Sequence, residues 1–319
     1  MIVSGSKFSS GGSIVSTTAY RTLLNAFYAG IKSVNPDAIV SAAGMAPSTG
    51  SSQGAEIGAQ PFLQALMCLK KSGTRLVANT CPTKATLDAI SFHPYTFAGT
   101  PTSGLGKGVA AGLGESPELR ALADAASRLN TILPAGRKEL WATEFGWITN
   151  PPGRPTSGSR SPGIAPELAG DYTSETIYRL WSWGVDRATW FRLADVYDTW
   201  SPYYFPGGLY FYPNGIFDPN AMTGKPSLAA FRFPVFAVKA GSKAKAWALS
   251  PCRAAGTSVR FEALSRGSWR QVATKAPAGD GATQTSTWTI PASTTFVRAV
   301  TQGPNCTSET SRSVRIAAR

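Results

Sequence analysis

The sequence lacks several features that mark particular classes of protein. It contains one histidine, His93, and its four cysteines form no CxxC pair, so the residue spacings of a zinc site are missing. No apolar run approaches the ~18 residues that a bilayer-spanning helix needs. The first 18 residues are rich in Ser and Gly and have no continuous apolar stretch, so they do not form a recognisable signal peptide. We therefore expect no metal, no other cofactor and no membrane partner.

Charged residues are few, at 15% of the chain, and they are unevenly distributed. The net charge is +13, and from Val238 onward 12 Lys and Arg stand against 3 Asp and Glu, which gives +9 and leaves +4 for the rest. The basic residues of this tail are scattered singly, which favours a solvated basic surface over a nucleic-acid site. We predict no nucleic-acid partner, and a basic interaction module remains a third, lesser hypothesis.

The residues that are present describe a globular chain with two kinds of pattern. A hydrophobic content of 43% supplies a core, and 319 residues suggest about two domains. Between residues 19 and 236, strand patterns alternate with helical patterns of ~10 residues or more, which is typical of parallel α/β sheets. The predicted strands are residues 38–43, 87–93, 139–144 and 186–191, and the predicted helices are residues 20–34, 61–71, 116–133, 171–183 and 225–231.

After residue 236 the pattern changes to short alternating strands separated by turn residues, which indicates a small all-β sandwich. The predicted organisation is therefore a flexible Ser/Gly-rich segment at 1–18, an α/β domain at 19–236 and a β-sandwich domain at 237–319.

Glu144 is the most informative residue of the chain. It ends the third predicted strand, on the same face as Leu140 and Ala142. A carboxylate is costly to bury, and the C-terminal rim of an α/β barrel is where such acids act. A helix cap or a salt-bridged acid is the alternative for an isolated Glu. The surrounding chain makes Glu144 the candidate catalytic residue.

His93 ends the second predicted strand in the same way. The small residues Ala89 and Ser91 lie on its face of the strand, which allows a polar side chain to project from the rim. Alone, such a histidine is more often a hydrogen-bonded structural residue. Its position at a strand end, two residues before Tyr95, makes both residues candidates for substrate binding.

Aromatic residues accompany these strand ends. Trp147 follows Glu144, Trp190 lies near the end of the fourth predicted strand, and Asp195 follows it. Aromatic rings at a polar rim suit the C–H faces of sugars, although core packing is the alternative for Trp190. The glycine-rich residues 104–108 lack the spacing of a phosphate-binding loop and are interpreted as a flexible loop.

With these residues the chain resembles the C-terminal half of a (β/α)8-barrel glycoside hydrolase, from the superfamily with catalytic glutamates on strands four and seven. The likeness covers about residues 20–233 and is to xylosidase- and iduronidase-like or cellulase-like members. The matching segments are Ala29-Gly30-Ile31-Lys32, Asn35-Pro36-Asp37-Ala38, Asp88, His93-Pro94-Tyr95, Trp141-Ala142-Thr143-Glu144-Phe145-Gly146-Trp147, Trp190-Phe191, Phe217-Asp218 and Lys225-Pro226-Ser227.

The resemblance implies an O-glycosidase that works by a retaining two-carboxylate mechanism. Glu144 would be the nucleophile that attacks the anomeric carbon. His93 and Tyr95 would orient Glu144 or the sugar, and Trp190 would form the floor of the subsite. Trp147 and Asp195 complete the expected substrate-binding set.

The sequence departs from this family at the acid/base residue. The family takes it from an Asn-Glu pair before the helix that matches residues 20–34, but this chain has no Asn-Glu dipeptide and no Asp or Glu in residues 1–18. Four βα units also leave two unpaired edges in an eight-stranded barrel. We therefore expect a partial barrel, either a gene fragment or a half that needs a partner or self-association, and little or no activity of the chain alone.

The alternative function is a non-catalytic carbohydrate-binding protein that uses the aromatic rim. The cysteines bear on location: they form either two disulfides in a secreted protein or four reduced thiols. We predict a disulfide between Cys252 and Cys306 that links the two ends of the small domain. Cys68 and Cys81 are placed so that they could form a second disulfide across a turn. Secretion is the corresponding expectation.

Overall fold

A computed structural model of the chain describes residues 15–47, 57–96, 99–149, 163–195, 206–211, 219–290 and 294–318. In the described residues the fold is mixed α/β, with a four-stranded and a two-stranded parallel sheet and several sheets that are wholly or mainly antiparallel. The chain divides into two compact units, Met1–Phe145 with Leu180–Trp190, and Gly146–Arg179 with Phe191–Arg319. The domain boundary predicted at residue 236 stays a prediction.

The first unit is built on a four-stranded parallel sheet in the order β1-β5-β7-β8. These strands correspond to the four that the sequence predicted. The elements of this unit are α1 (Val15–Val34), β1 (Ser41–Met45), α2 (Ala59–Leu66), β2 (Leu69–Ser72), β3 (Arg75–Ala78), β4 (Ala85–Thr86), β5 (Ala89–Phe92), α3 (Ser116–Arg128), β6 (Ile132–Leu133), β7 (Glu139–Phe145) and β8 (Arg187–Trp190).

The central strand β5 is buried on both faces, as in parallel sheets covered by helices. Strand β7 alternates between buried residues and the partly exposed Glu139, Trp141 and Thr143. All four residues of β5 are buried, and Leu140 and Ala142 of β7 have no exposed surface. Helix α3 packs its apolar stripe inward, and proline near its first turn suits a helix start. Its buried apolar residues are Leu119, Leu122, Ala123, Ala125 and Ala126.

Two predicted helices end earlier than the periodicity indicated. Helix α2 stops at Leu66, because Cys68 takes a left-handed φ of 56° and the chain continues as the hairpin β2–β3. Helix α3 stops at Arg128, because Asn130 takes a φ of 58° and the chain then forms β6 against β4. Apolar spacing alone could not distinguish these short strands from a further helical turn.

The second unit contains two sheets, in the orders β15-β12-β11-β19 and β14-β13-β17-β18, and a small β-ribbon. Its elements are α4 (Pro166–Ser182), whose last residues belong to the first unit, β9 (Tyr210–Phe211), β10 (Thr223–Gly224), α5 (Pro226–Arg232), β11 (Val235–Ala240), β12 (Lys243–Leu249), β13 (Ser258–Ser265), β14 (Ser268–Lys275), β15 (Ala282–Gln284), β16 (Trp288–Thr289), β17 (Phe296–Gln302), β18 (Val314–Arg315) and β19 (Ala317–Ala318).

The two larger sheets of this unit enclose one apolar core, which is the layered arrangement of a β-sandwich. Each sheet contributes alternate residues of its strands to this core. On the other face of the β11–β12 pair, Phe236 and Trp247 pack against Tyr178 of α4. The core residues are Phe233, Val235, Ala237, Ala246, Ala248, Val259, Phe261, Ala263, Val297, Ala299 and Val314.

The predicted disulfide between Cys252 and Cys306 is confirmed, and Cys68 and Cys81, whose pairing the sequence left open, are also bonded. Cys252 is bonded to Cys306 across 54 residues, and Cys68 is bonded to Cys81 across the hairpin β2–β3. Their Cα atoms are 6.1 and 5.8 Å apart, within the range that a disulfide spans. The bond in the sandwich ties the segment before β13 to the segment after β17, which limits the freedom of the unfolded chain.

The four-stranded parallel sheet has two outer edges, which are formed by β1 and β8. Within the described residues no strand pairs with the outer edge of β1 or of β8. The amide of Ala43 on β1 instead donates to the hydroxyl of Tyr20 on α1, at 2.8 Å. Helix α1 presents an apolar surface beside it, with Leu23, Phe27 and Val34 exposed by 54, 57 and 87%. Membership of a partial barrel stays a prediction.

None of the helices in the described part of the chain has the length and apolarity of a membrane span. On α1 all ten exposed positions carry uncharged side chains, so this face meets water without the charges that usually solvate a helix surface.

We predict that the isolated chain self-associates through this face of α1. The double variant Leu23→Gln/Phe27→Gln should shift the population toward monomer, because it removes the two largest exposed apolar side chains there. Light scattering after size exclusion measures the mass. Leu193→Gln, which removes a leucine 61% exposed in the second unit, is the control. A wild-type monomer at high concentration would contradict the prediction.

Candidate active site

The parallel pairing of β5 with β7 brings the predicted catalytic residues to one end of the sheet. Phe92 pairs with Ala142, so the C-terminal ends of both strands lie at the same edge. His93 follows β5 directly, and Glu144 lies two residues beyond Ala142. The C-terminal edge of parallel strands is the usual place of active sites in α/β folds.

Glu144 is held by two side chains from the end of β5. The hydroxyl of Tyr95 donates to Oε2 of Glu144 at 3.2 Å, and Nδ1 of His93 lies 3.6 Å from the same oxygen. The side chain of Glu144 is 33% exposed and that of His93 is 22% exposed. The carboxylate is therefore oriented from one side and accessible from another. Three of the predicted site residues form this cluster.

The backbone of β1 lies beside the ring of His93. Ala43 and Gly44 take left-handed φ values of 86° and 56°, at a bulge in the pairing of β1 with β5. The amide of Gly44 donates to Oγ of Ser91, which in turn donates to the carbonyl of Ala42. A Cβ atom on Gly44 would lie 3.8 Å from Nε2 of His93, so glycine keeps the space beside the ring open.

Burial lowers the pKa of His93 below its usual value of 6.5, and the negative charge of Glu144 opposes that shift. The imidazole is therefore mainly neutral at pH 7. Its Nδ1 is too far from Oε2 for a good hydrogen bond, so it acts on Glu144 through its dipole and its packing. Tyr95 supplies the direct hydrogen bond.

The two predicted aromatic subsite residues are buried. Trp190 is 8% exposed and packs edge-on against Phe145, with ring centroids 5.2 Å apart. Trp147 is 3% exposed and packs against Tyr172 within the second unit. Neither ring presents a broad face to solvent. Their binding of a sugar stays a prediction, and this packing weakens the alternative of an aromatic carbohydrate-binding rim.

Asp195 lies in a buried ion pair of the second unit, which the sequence did not indicate. Its Oδ1 is 2.6 Å from Nζ of Lys225, and both side chains are fully buried. Lys225 also donates to Oγ1 of Thr149 and to the carbonyl of Pro206, and the amide of Gly208 donates to Oδ1. Binding of substrate by Asp195 stays a prediction that this burial does not support.

Burial sets the direction of both pKa shifts in this pair: it raises the pKa of Asp195 and lowers that of Lys225, while their mutual attraction opposes each shift. Each charge is therefore tolerated because of the other. The pair joins the loop after β7, the segment after β8 and the start of α5.

The described residues contain no cluster of three or more His, Cys, Asp or Glu side chains placed to hold a metal ion. Sequence analysis named Ser91 only as a small residue beside His93 and missed its hydrogen bonds to β1, and it also missed the ion pair of Lys225, because both depend on distant partners. Lys225 was noted only as part of the segment that leads into the last helix.

Comparison with known proteins gives distant structural matches. No family model and no curated protein matches the chain. Two structures of Bacteroides uniformis beta-glucuronidase 2, one covalently bound to cyclophellitol-6-carboxylate aziridine and one a calcium-binding mutant, match 93 and 98% of this chain at 11% identity, with TM-scores of 0.35 and 0.38. An engineered protein matches 99% of this chain and 63% of its own at 15% identity and a TM-score of 0.30. The chain spans about a third of the glucuronidase chains, 31 and 32%.

We predict that His93 titrates below pH 6.5. It is the only histidine of the sequence, so its imidazole gives a single titrating signal in proton NMR. Glu144→Gln should lower the midpoint further, because it removes the charge that favours the protonated ring. Glu139→Gln is the control at the other end of β7 and should leave the midpoint unchanged. A wild-type midpoint above 6.5 would refute the assignment.

We predict that Lys225→Met lowers the free energy of unfolding by about 3–5 kcal/mol, because it leaves the buried carboxylate of Asp195 without its counter-charge. The double variant Lys225→Met/Asp195→Asn should recover part of the loss. Lys239→Met, at an exposed lysine of β11, is the matched control. Denaturant unfolding measures all three, and equal stability of Lys225→Met and wild type would rule out a stabilising pair.

Proposed function

We propose that the chain is glycoside hydrolase-like and that Glu144 is the nucleophile of a retaining two-carboxylate mechanism acting on O-glycosidic bonds. The observation that supports this most is the convergence of Tyr95 and His93 on one oxygen of a partly exposed carboxylate at the end of β7. An acid with only a structural role usually pairs with a cation or caps a helix. Here the partners are a phenol and a mainly neutral imidazole.

The two oxygens of Glu144 are used differently. Tyr95 and His93 both contact Oε2, and neither of these two contacts involves Oε1. Oε1 is therefore the oxygen that would attack the anomeric carbon. The hydrogen bond from Tyr95 fixes the rotation of the carboxylate, so its attacking lone pair is aimed before substrate binds.

A retaining mechanism needs a second carboxylate about 5–5.5 Å from the first, to protonate the leaving group and later to activate water. We propose that it comes from a polypeptide that completes the parallel sheet beyond β1, as the resemblance implies. General acid catalysis contributes ~10²–10⁴-fold, so this chain alone should have little or no activity on ordinary glycosides. The partner is either a separate half-barrel or an extension of the same polypeptide.

The proposed substrate is an oligo- or polysaccharide in an extracellular setting. The disulfides Cys68–Cys81 and Cys252–Cys306 support this location, because such bonds persist in oxidising compartments. We infer no cofactor, since a displacement at carbon between two carboxylates needs none.

The proposal predicts covalent labelling of Glu144 by activated donors. A 2,4-dinitrophenyl 2-deoxy-2-fluoroglycoside has a leaving group that departs without protonation, and its fluorine slows hydrolysis of the glycosyl-enzyme. Incubation of the chain with hexosyl, pentosyl and uronosyl donors should add one sugar mass to the intact protein, and peptide mapping should locate it at Glu144.

Glu144→Gln should prevent labelling, and Glu139→Gln should label as wild type does. Tyr95→Phe should slow labelling about tenfold or more, because the carboxylate loses a hydrogen bond worth ~1.5 kcal/mol. Sugar on another residue, or no labelling of a folded chain by any donor, would reject the assignment.

A further inference from the structure

One face of the sandwich carries charges and rings that the proposed mechanism does not use. In the sheet β14-β13-β17-β18, residues that alternate with the core residues point away from the core. We define the outer arginine face as Arg260, Glu262, Trp269, Phe296, Arg298 and Arg315, which lie on all four strands of this sheet.

A single carboxylate at the centre of this face holds two guanidinium groups. Oε1 of Glu262 accepts from Nε of Arg260 at 2.9 Å, and Oε2 accepts from Nε of Arg298 at 2.8 Å. Glu262 and Arg298 are direct partners in the pairing of β13 with β17. Both bonds use Nε, so the terminal N–H groups on the opposite edge of each guanidinium do not contact the carboxylate.

Aromatic rings fix two of the arginines. The guanidinium of Arg298 lies over the ring of Trp269 at 4.2 Å from its centroid. Arg315 lies over Phe296 at 5.3 Å, and the two are partners in the pairing of β17 with β18. A stacked guanidinium keeps its in-plane donors available for a planar or tetrahedral oxyanion and loses less freedom when it binds one.

The face presents positive charge outward. The side chain of Glu262 is 11% exposed, whereas those of Arg260 and Arg298 are 29 and 30% exposed and Arg315 is also exposed. Three arginines against one shielded carboxylate leave a net charge of +2 on this face. Its strands belong to the region from Val238 onward that carries +9.

We propose that the outer arginine face binds an acidic polysaccharide through its repeated carboxylate or sulfate groups. Neighbouring strands place side chains about 5 Å apart, and alternate residues of one strand about 7 Å apart, so the arginines form a shallow two-dimensional array that fits a chain of closely spaced anions. The site is independent of Glu144 and would hold substrate or cell-surface glycan near the enzyme.

Nucleic acid fits this face less well. Non-specific binding of single strands depends on bases that stack on open aromatic faces, and here Arg298 covers one face of Trp269. Binding of a duplex depends on many phosphate contacts spread along the helix, whereas this face has three arginines.

The test measures binding of the intact full chain to polygalacturonate and to dextran sulfate by isothermal titration calorimetry, with neutral dextran and a single-stranded oligonucleotide as further ligands. We expect binding to one or both acidic polysaccharides that weakens as salt rises. Polygalacturonate and dextran sulfate separate carboxylate from sulfate recognition. Equal binding of neutral dextran, or stronger binding of the oligonucleotide, would overturn the proposal.

Arg298→Gln/Arg315→Gln should weaken binding at least tenfold and flatten the salt dependence. The matched control, Arg270→Gln/Lys275→Gln, removes the same charge from β14 at positions paired with the core residues Ala263 and Val259. It should bind nearly as wild type does. An equal loss in both variants would show that only net charge matters and would refute a specific face.

Arg315→Gln alone keeps both bonds of Glu262 intact, so it tests the face without disturbing the central cluster. It should weaken binding severalfold with an unchanged thermal midpoint, and unchanged binding would count against the proposal. Glu144→Gln should bind the polysaccharide as wild type does, which separates failure of this proposal from failure of the proposed catalytic function.

Discussion

The parallel pairing of β5 with β7 is the constraint on which the candidate site depends. Its register places Phe92, the last residue of β5, beside Ala142 of β7, so that Tyr95, just beyond β5, reaches Oε2 of Glu144. A shift of one residue would turn Glu144 to the other face of the sheet and separate it from Tyr95. The fully buried residues of both strands favour that register, because a one-residue shift of either strand would turn its side chains to the other face. The site's geometry is thus maintained by a core that itself takes no part in chemistry.

The two outer strands of the same sheet each have an edge whose backbone groups pair with no further strand in the described residues. Unpaired strand edges invite association with other chains, and proteins usually protect them. Here the bulge at Ala43 and Gly44 and the hydroxyl of Tyr20 interrupt the row of open backbone groups on β1. The uncharged face of α1 has no such protection in the described residues. Under the proposed function, a polypeptide that covers that side would add stability and complete the active site.

The second unit contains a fully buried ion pair and a separate set of partly exposed charged side chains. The Asp195–Lys225 pair is fully buried and connects three segments of the chain. It therefore fixes the arrangement of these segments. On the outer arginine face, by contrast, the carboxylate of Glu262 is shielded and the guanidinium groups reach solvent. Charges used in the first way stabilise the fold, and charges used in the second way remain available to a ligand.

The sequence by itself determined the four parallel strands, their helices, the all-β character after residue 236 and the strand-end position of Glu144, because these follow from local periodicity. It also indicated both disulfides, whose partners are near in sequence or flank one small domain. Only the tertiary structure decided the ends of α2 and α3, the burial of Trp147 and Trp190, and the pairing of Asp195 with Lys225. These depend on left-handed residues, on packing and on partners distant in the sequence, such as Asp195 and Lys225, which are 30 residues apart, and no local pattern encodes them. The contact of Tyr95 with Glu144, 49 residues away, likewise exists only in the folded sheet.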